Sequence, residues 1–435
     1  MNTAGNRTIS DDGRSVLQVW IDATRPAAGR WLWGMNPVER QVRTLALQGI
    51  SQVHVWLSPQ TEESVRQLRP DLDRLYQVEL IFFTVAGPQQ IYEALKQAEK
   101  AVLLLEGDVV YDERILTHQL QTGPGNTVLG EEDTAVLYLE TEQAHRLGAR
   151  LAAAAKSSSG ALGRLVQPHL NEMGLQVYSP RDMDYYVPAL RLNMQPFILR
   201  LQEQGSLRYI DHLMYRRTFK GAIDAVARYG YYHLVRWITR QFCKTTLSPN
   251  LLTILSILSI WATVPCFAFG YLKTGVLVAW FGVILDSVDG KLARLSLHLS
   301  EAMGNIEHLA AAPGLGMWYV ALGWHFSSGH LFSETPLALT TWLLVGAFLA
   351  DKIASGGFKA LYEKELFDYR PVDAAFHLFA CRRNISLLIL SAGVAGNSEA
   401  QAFALVALWM VSTLLFHLIR FAWIAVAEVR ARRGS

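Results

Sequence analysis

Cysteine is scarce in this chain: Cys243, Cys266 and Cys381 are the only three in 435 residues, and they are scattered without metal-ligand spacing. A disulfide framework is excluded on that ground, and reduced thiols are expected. An excess of charge of either sign is also missing. The formal net charge is only +2, so bulk charge points neither toward nor away from nucleic acid. Met1 to Arg14 is polar and lacks an apolar core. That excludes a secretory signal and puts the first half of the chain on the cytoplasmic side. No internal repeat is visible, and no repeated pair of broken apolar segments, which argues against a transporter. What the chain does have is 51% hydrophobic residues against 18% charged, unevenly spread. The first ~200 residues are mixed in character and, from Asn250 onward, long apolar segments alternate with short polar loops; a chain of this length allows two or more domains.

The first part alternates between strand and helix signals. Ser15 to Ala23 reads as a buried strand, Pro37 to Leu47 as a helix ending at Gly49, and Val53 to Leu57 as a second strand. Glu63 to Leu75 has helical spacing interrupted by Pro70, and Val78 to Thr84 is a third strand. Gln89 to Ala101 is a helix, Val102 to Glu106 a strand ending at Gly107-Asp108, and Thr134 to Glu140 a further strand. Ala152 to Gly160 reads as a helix running into a turn. The alternation predicts an α/β domain with a largely parallel sheet.

A basic stretch then begins at Arg216 and Arg217 and continues through Lys220, Arg228, Arg236, Arg240 and Lys244, interleaved with Tyr215, Tyr229, Tyr231, Tyr232 and Trp237. Just ahead of an apolar run, this reads as an interfacial helix facing anionic headgroups. The nucleic-acid reading is weaker, since no binding motif accompanies the charge. Six membrane spans of about 20 residues are predicted near Leu251–Tyr271, Thr274–Leu292, Ile306–Trp324, Leu337–Ile353, Ile385–Gly396 and Ala402–Val426. The loops after spans two and four and the tail carry most of the Lys and Arg; the loops after spans three and five carry none. The positive-inside rule then places both termini of a multi-pass protein in the cytoplasm. The domain division expected is residues 1–200, a juxtamembrane region 201–246, and a transmembrane domain 247–435.

Asp286-Ser-Val-Asp289-Gly290-Lys-Leu-Ala293-Arg294 stands out within this apolar half. Charge inside a membrane is costly, so paired acids there mark a functional site. On a helix, Asp286, Asp289 and Ala293 share one face. Two hard oxygen ligands on one face suit Mg²⁺, Mn²⁺ or Ca²⁺, which in turn can hold phosphates. Gly290 allows close approach of a ligand to the backbone. Arg294, one turn below, can clamp a phosphate in bidentate fashion. The competing reading is a helix end whose acids pair with Lys291 or Arg294. Arg382 and Arg383, opening span five, suit a lipid phosphate on the cytoplasmic side or an ordinary positive-inside anchor.

The stretch from Asp286 to Arg294 resembles the opening of the CDP-alcohol phosphotransferase signature, D-x2-D-G-x2-A-R-x8/9-G-x3-D-x3-D, and matches it at every fixed position. Leu247-Ser-Pro249-Asn250 is similar to the Pro-Asn segment that precedes the core in that family. The resemblance covers about Arg216 to the C-terminus. It implies transfer of a substituted phosphate from a CDP-alcohol to an acceptor alcohol with release of CMP, in phospholipid or polar-lipid synthesis. It also implies Mg²⁺ or Mn²⁺ at Asp286 and Asp289, a nucleotide met by Asn250, Asp286, Gly290, Ala293 and Arg294, membrane lipids as partners, and homodimers as a common family state. The second half of the signature departs. With nine residues after Arg294 the glycine is Gly304, the third acid is His308 and the fourth Ala312. With eight, which keeps an oxygen ligand for the metal, Met303, Glu307 and Ala311 take these places. In either register the fourth aspartate, the family's general base, is alanine. That leaves a slow enzyme, an enzyme with His308 as substitute base, or a catalytically impaired nucleotide- and lipid-binding pseudoenzyme.

The first domain resembles sugar-phosphate nucleotidyltransferases, with a Rossmann-like α/β fold. Gly34-Met-Asn-Pro37-Val-Glu39-Arg40, the helix after it, Gln48-Gly49-Ile50 and Val53 to Trp56 follow that family's first β-α-β unit. Leu105-Glu106-Gly107-Asp108 is similar to its metal-binding strand end, which implies Asp108 as a metal ligand. The place of the phosphate-cradling loop is taken by Asp22-Ala-Thr-Arg25-Pro-Ala-Ala-Gly29-Arg30, and no lysine accompanies Pro37.

Overall fold

The computed structural model describes residues 17–69, 71–131, 133–154, 161–187, 190, 192–201 and 205–434. They form two compact units. The first is the chain up to Arg217 with Cys243–Thr246 and Leu295–Leu297; the second is Thr218–Phe242, Leu247–Arg294 and His298 onward.

In the first unit, strands β1 (Leu17–Ala23), β2 (Gln52–Leu57), β3 (Glu79–Thr84) and β4 (Ala101–Glu106) lie parallel, with β1 between β2 and β4. Strands β5 (Val109–Tyr111), β6 (Asn126–Leu129), β7 (Ala135–Leu139) and β8 (Gln176–Tyr178) follow, and the seven-stranded sheet runs β3-β2-β1-β4-β7-β6-β8. Its two faces are both buried, which the alternation along each strand requires. Val19, Ile21, Ala23, Leu103 and Leu105 pack on one side; Trp20, Val102 and Leu104 pack on the other. The sheet is largely parallel, as expected, with one exception: β7 is antiparallel to both β4 and β6. Gly130 N bonds to Thr134 O in the turn between β6 and β7, and a connection this short joins antiparallel strands only. A ribbon of β9 (Tyr186–Val187) and β10 (Leu192–Asn193) and a pairing of β11 (Ile198–Arg200) with β5 complete the strands described.

Helices α1 (Pro37–Leu47), α2 (Pro88–Leu95), α3 (Glu113–Thr122), α4 (Thr141–Ala154) and α5 (Gly205–Arg216) belong to this unit. Asn36 caps α1, its Oδ1 accepting from Glu39 N at 2.8 Å with Pro37 in the first turn, an arrangement that satisfies a helix-start donor. The expected helix over Glu63–Leu75 is two short ones, Glu62–Arg66 and Leu72–Tyr76; Pro70 lies outside the described residues. The expected turn after Ala154 lies outside them too.

The second unit is helical: α6 (Tyr232–Cys243), α7 (Pro249–Ala268), α8 (Leu272–Leu295), α9 (Glu301–Phe326), α10 (Pro336–Tyr362), α11 (Arg383–Ala395) and α12 (Glu399–Gly434). The expected interfacial helix is interrupted, with a π-turn at Val226–Gly230 between α5 and α6. Every expected span falls on a helix. Three helices, Pro249–Ala268, Pro336–Tyr362 and Glu399–Arg430, are long and apolar enough to cross a membrane. Helix α8 is long enough but carries Lys273, Asp286, Asp289, Lys291 and Arg294, and α11 is shorter, at 13 residues.

Helix α7 shows how these helices pack. Large residues face outward, Leu258 being 59% exposed, while Thr253, Ser256, Ser259 and Thr263 are buried. Ser256 Oγ donates to Gly282 O of α8 at 3.0 Å, and a Cβ on Gly282 would sit 3.0 Å from Ser259 Cβ. Small residues at the crossing let the backbones approach, as helices in lipid require where no hydrophobic drive holds them together. The three cysteines are free.

Candidate functional site

The sequence from Asp286 to Arg294 is helical, as its spacing predicts, and forms the last turns of α8. Asp289 is buried and Asp286 half-buried. Asp289 Oδ1 accepts from Gly290 N; its Oδ2 is buried with no hydrogen-bond partner among the described residues. A carboxylate oxygen in that state costs free energy unless something is there to use it. Glu307, on α9, comes within hydrogen-bonding reach of Asp286 and close enough to Asp289 to feel its charge. Two helices therefore bring three carboxyl groups together.

The counter-charge comes mainly from α11. Arg383 Nη2 donates to Asp286 Oδ2, an ion pair whose side chains are 22% and 17% exposed. Arg294 folds back along α8, its Nη2 lying 3.1 Å from where a Cβ on Gly290 would be, so glycine at 290 makes room for the guanidinium. Arg294 Nε is buried without a partner among the described residues. Lys291 does not pair with the acids: its ammonium donates to Ser287 O at 3.1 Å and lies over the Phe219 ring. Asn250 is in the first turn of α7, three residues before Thr253, whose hydroxyl donates to Pro249 O at 3.2 Å. Ala293 lies one turn after Asp289. Of His308 the structure describes only the helical backbone in α9. Among the described residues no group of three or more His, Cys, Asp or Glu side chains is arranged as a metal cage.

Asp286, Glu307 and Arg383 open onto a cavity of about 400 Å³, which Ala311 and Arg382 also line. Arg382 does not sit beside Arg383's carboxylate; its Nη1 donates to His377 Nε2 at 2.8 Å and the guanidinium lies over Phe367. Further polar residues escaped the sequence reading. Asn384 Nδ2 donates to Asp224 Oδ2 at 2.7 Å and to the Tyr231 hydroxyl at 2.8 Å, and Ser287 Oγ lies 3.3 Å from that hydroxyl. Asp351 of α10 and His417 of α12 line the cavity as well, with His417 Nδ1 2.6 Å from Asp351 Oδ1. Both are ionisable groups in the middle of apolar runs, and that signal was available in the sequence.

In the first unit, the strand ends of β1 and β4 place Asp22 opposite Glu106. Arg200, from β11, donates to Glu106 Oε1 at 2.6 Å and to Asp108 Oδ2 at 2.7 Å, and Arg25 Nη1 lies 3.4 Å from the same Asp108 oxygen. Glu106 also accepts from Ala135 N and Leu162 N. Burial pushes the Glu106 carboxyl up, against the pull of Arg200. Burial likewise raises Asp22, against hydrogen bonds from Thr24.

No protein-family model matches the chain, and no curated protein matches its sequence. Among solved structures it is similar to a phosphatidylinositol phosphate synthase of Mycobacterium tuberculosis crystallised with CDP-DAG bound. The identity is 20%, the TM-score is 0.34, and the match spans 43% of this chain and 94% of that one.

Proposed function

We propose that the chain is a multi-pass membrane phosphotransferase that moves a substituted phosphate from a CDP-alcohol to an acceptor alcohol and releases CMP. The observation that carries this reading is the convergence of Asp286, Asp289 and Glu307, with one Asp289 oxygen buried and unpartnered, beside a cavity that Arg383 shares. Asp286, Asp289 and Glu307 would hold Mg²⁺ or Mn²⁺. When bound, such an ion neutralises pyrophosphate charge and orients it for in-line attack. Carboxylate oxygens are the donors these hard cations prefer.

This chain's own residues supply the rest. Arg294 brings an unpartnered, buried Nε to the phosphates from one side. Arg383, whose side chain lines the same cavity, would donate to the phosphate with a planar guanidinium fitted to phosphate oxygens. Arg382 would meet the anionic lipid headgroup. Gly290, by housing the Arg294 guanidinium, would set that group toward the nucleotide, which Ala293 and Asn250 would also meet. The cation-rich loops after spans two and four support a cytoplasmic site with both termini on that side. The domain division proposed along the chain is residues 1–200, 201–246 and 247–435, with α5 of the middle segment belonging to the first compact unit. In the first domain, nucleotidyltransferase-like in our reading, Arg200 takes the place a cation would occupy at Asp108. We therefore assign Arg200, Glu106 and Asp108 to holding strand ends together.

The test uses purified full-length protein, Mg²⁺ or Mn²⁺, and a panel of CDP-alcohols with CMP release as readout. Turnover that Asp289→Asn abolishes supports the enzyme. Wild-type silence that Ala311→Asp converts to activity supports the impaired-site reading, which rests on Ala311 facing the cavity.

A further inference from the structure

An acceptor hydroxyl needs a group to take its proton, and the residue in the family's position, Ala311, has none to offer. Ala311 lines the cavity together with Asp286 and Glu307. The same cavity is lined by His417 and Asp351, which come from α12 and α10. We propose that His417, oriented by Asp351, is the general base for the acceptor alcohol, in place of the missing carboxylate; this rests on the phosphotransferase reading above.

The geometry singles out His417 from His377, the other histidine lining the cavity among the described residues. His417 Nδ1 is 2.6 Å from Asp351 Oδ1. A carboxylate at that distance holds the proton on Nδ1, which leaves Nε2 as a bare acceptor. No hydrogen bond to His417 Nε2 exists among the described residues. The Phe376 ring stands edge-on at 5.9 Å and limits rotation of the imidazole. His377 is differently placed: Arg382 donates to its Nε2 at 2.8 Å, and a guanidinium has no lone pair to give. Its acceptor nitrogen is thus occupied, and its ring is stacked on Phe367 at 4.2 Å. Of the two histidines that line the cavity among the described residues, His417 combines an anionic partner on one nitrogen with a free lone pair on the other.

The step balances. The acceptor hydroxyl gives its proton to His417 Nε2 while its oxygen forms a bond to the donor phosphorus that carries the alcohol. The bond from that phosphorus to the bridging oxygen of CMP breaks, and CMP leaves with the electron pair. The imidazolium, stabilised by Asp351, then returns its proton to water. Asp351 is a positioning residue, and His417 is the group that touches the reacting atoms.

The experiment uses the full chain in lipid nanodiscs with Mg²⁺. CDP-diacylglycerol and CDP-glycerol are the donors; glycerol, inositol and their monophosphates are the acceptors. Donor affinity and CMP release are measured separately. We expect His417→Gln to leave donor affinity within about threefold and to lower kcat by about 10²–10⁴-fold, the range of a positioned base. Asp351→Asn should lower kcat by at least about tenfold with unchanged donor affinity, and Asp351→Glu should recover part of it. Introducing Ala311→Asp into the His417→Gln background should restore turnover, which a merely structural histidine would not permit. If His417→Gln does not fold, Asp351→Asn carries the same expectation. Wild-type release with His417→Gln or Asp351→Asn turning over at wild-type rate overturns this assignment and leaves the proposed function standing. Wild-type protein that releases no CMP from any pair overturns the proposed function itself.

Discussion

Arg383→Met tests the site through its counter-ion. The substitution keeps the length of the side chain and removes the guanidinium that pairs with Asp286. Stripping one partner from a buried ion pair costs about 3–5 kcal/mol, because the remaining charge is left uncompensated. Here the two side chains keep 22% and 17% of their exposure, so water screens part of that and about 2 kcal/mol is the appropriate figure. At about 2–4 °C per kcal/mol for a unit of this size, the variant should melt about 4–8 °C below wild type in EDTA. A divalent cation changes the comparison. At a concentration a hundred times its Kd, a ligand that binds only the folded state adds about 2.7 kcal/mol. In wild type that gain is offset by releasing Arg383 from Asp286, and in the variant nothing has to be released. The Mg²⁺-induced rise in Tm should therefore be larger for Arg383→Met than for wild type, while Asp289→Asn should abolish it in both backgrounds. The assay is thermal unfolding of detergent-solubilised protein, with EDTA or with 10 mM Mg²⁺. Equal Mg²⁺ shifts in the two proteins, or an unchanged Tm in EDTA, would refute the reasoning.

Three further outcomes follow from the geometry. Gly323→Val should destabilise by about 1–3 kcal/mol, as overpacking does, since a Cβ there meets Thr341 Oγ1 at 2.1 Å; Gly346→Ala, with nothing within 4 Å, should melt at or above wild type. Burial acts to raise the Asp112 carboxyl, but hydrogen bonds from Arg114 and the charge of Arg217 outweigh it and the net shift is downward. Its contribution to stability is therefore present above the ordinary carboxylate range and lost as pH falls through the lower folded value. Asp112→Asn should flatten the acid-unfolding curve, followed by tryptophan fluorescence. Arg200→Ala should destabilise the first unit by up to about 3–5 kcal/mol by removing the main counter-charge of Glu106 and Asp108, with Arg25, 3.5 and 3.4 Å from them, compensating in part; chemical denaturation measures it, and a stabilised variant would contradict the structural role given to Arg200.

Much of the fold is legible in the chain because it rests on local pattern. The strands at Leu17, Gln52, Glu79 and Ala101 announce themselves as apolar runs, and the helices of the second half as long ones. β5, β8 and β9 to β11 are only two or three residues each, too short for any periodicity to register; the reversed direction of β7 is set by its short turn from β6, which apolar alternation does not encode. The acids of α8 are legible for the opposite reason: charge in an apolar run is conspicuous. Their partners are not, since Arg383 is 97 residues from Asp286 and Asn384 is 160 from Asp224, and no local signal connects such positions. Asp351 and His417 are just as conspicuous as ionisable residues in apolar runs but belong to no familiar spacing, and only the folding of α10 against α12 makes them a pair.

Helix α7 has a property that bears on how the site works. Thr253, Ser259 and Thr263 each donate their hydroxyl proton to a carbonyl one turn earlier in the same helix, at 3.2, 2.7 and 2.9 Å. Ser256 is different: its hydroxyl leaves the helix for Gly282 O of α8 at 3.0 Å. The seam is therefore latched at Ser256, beside small residues whose contour sets how closely the two backbones approach.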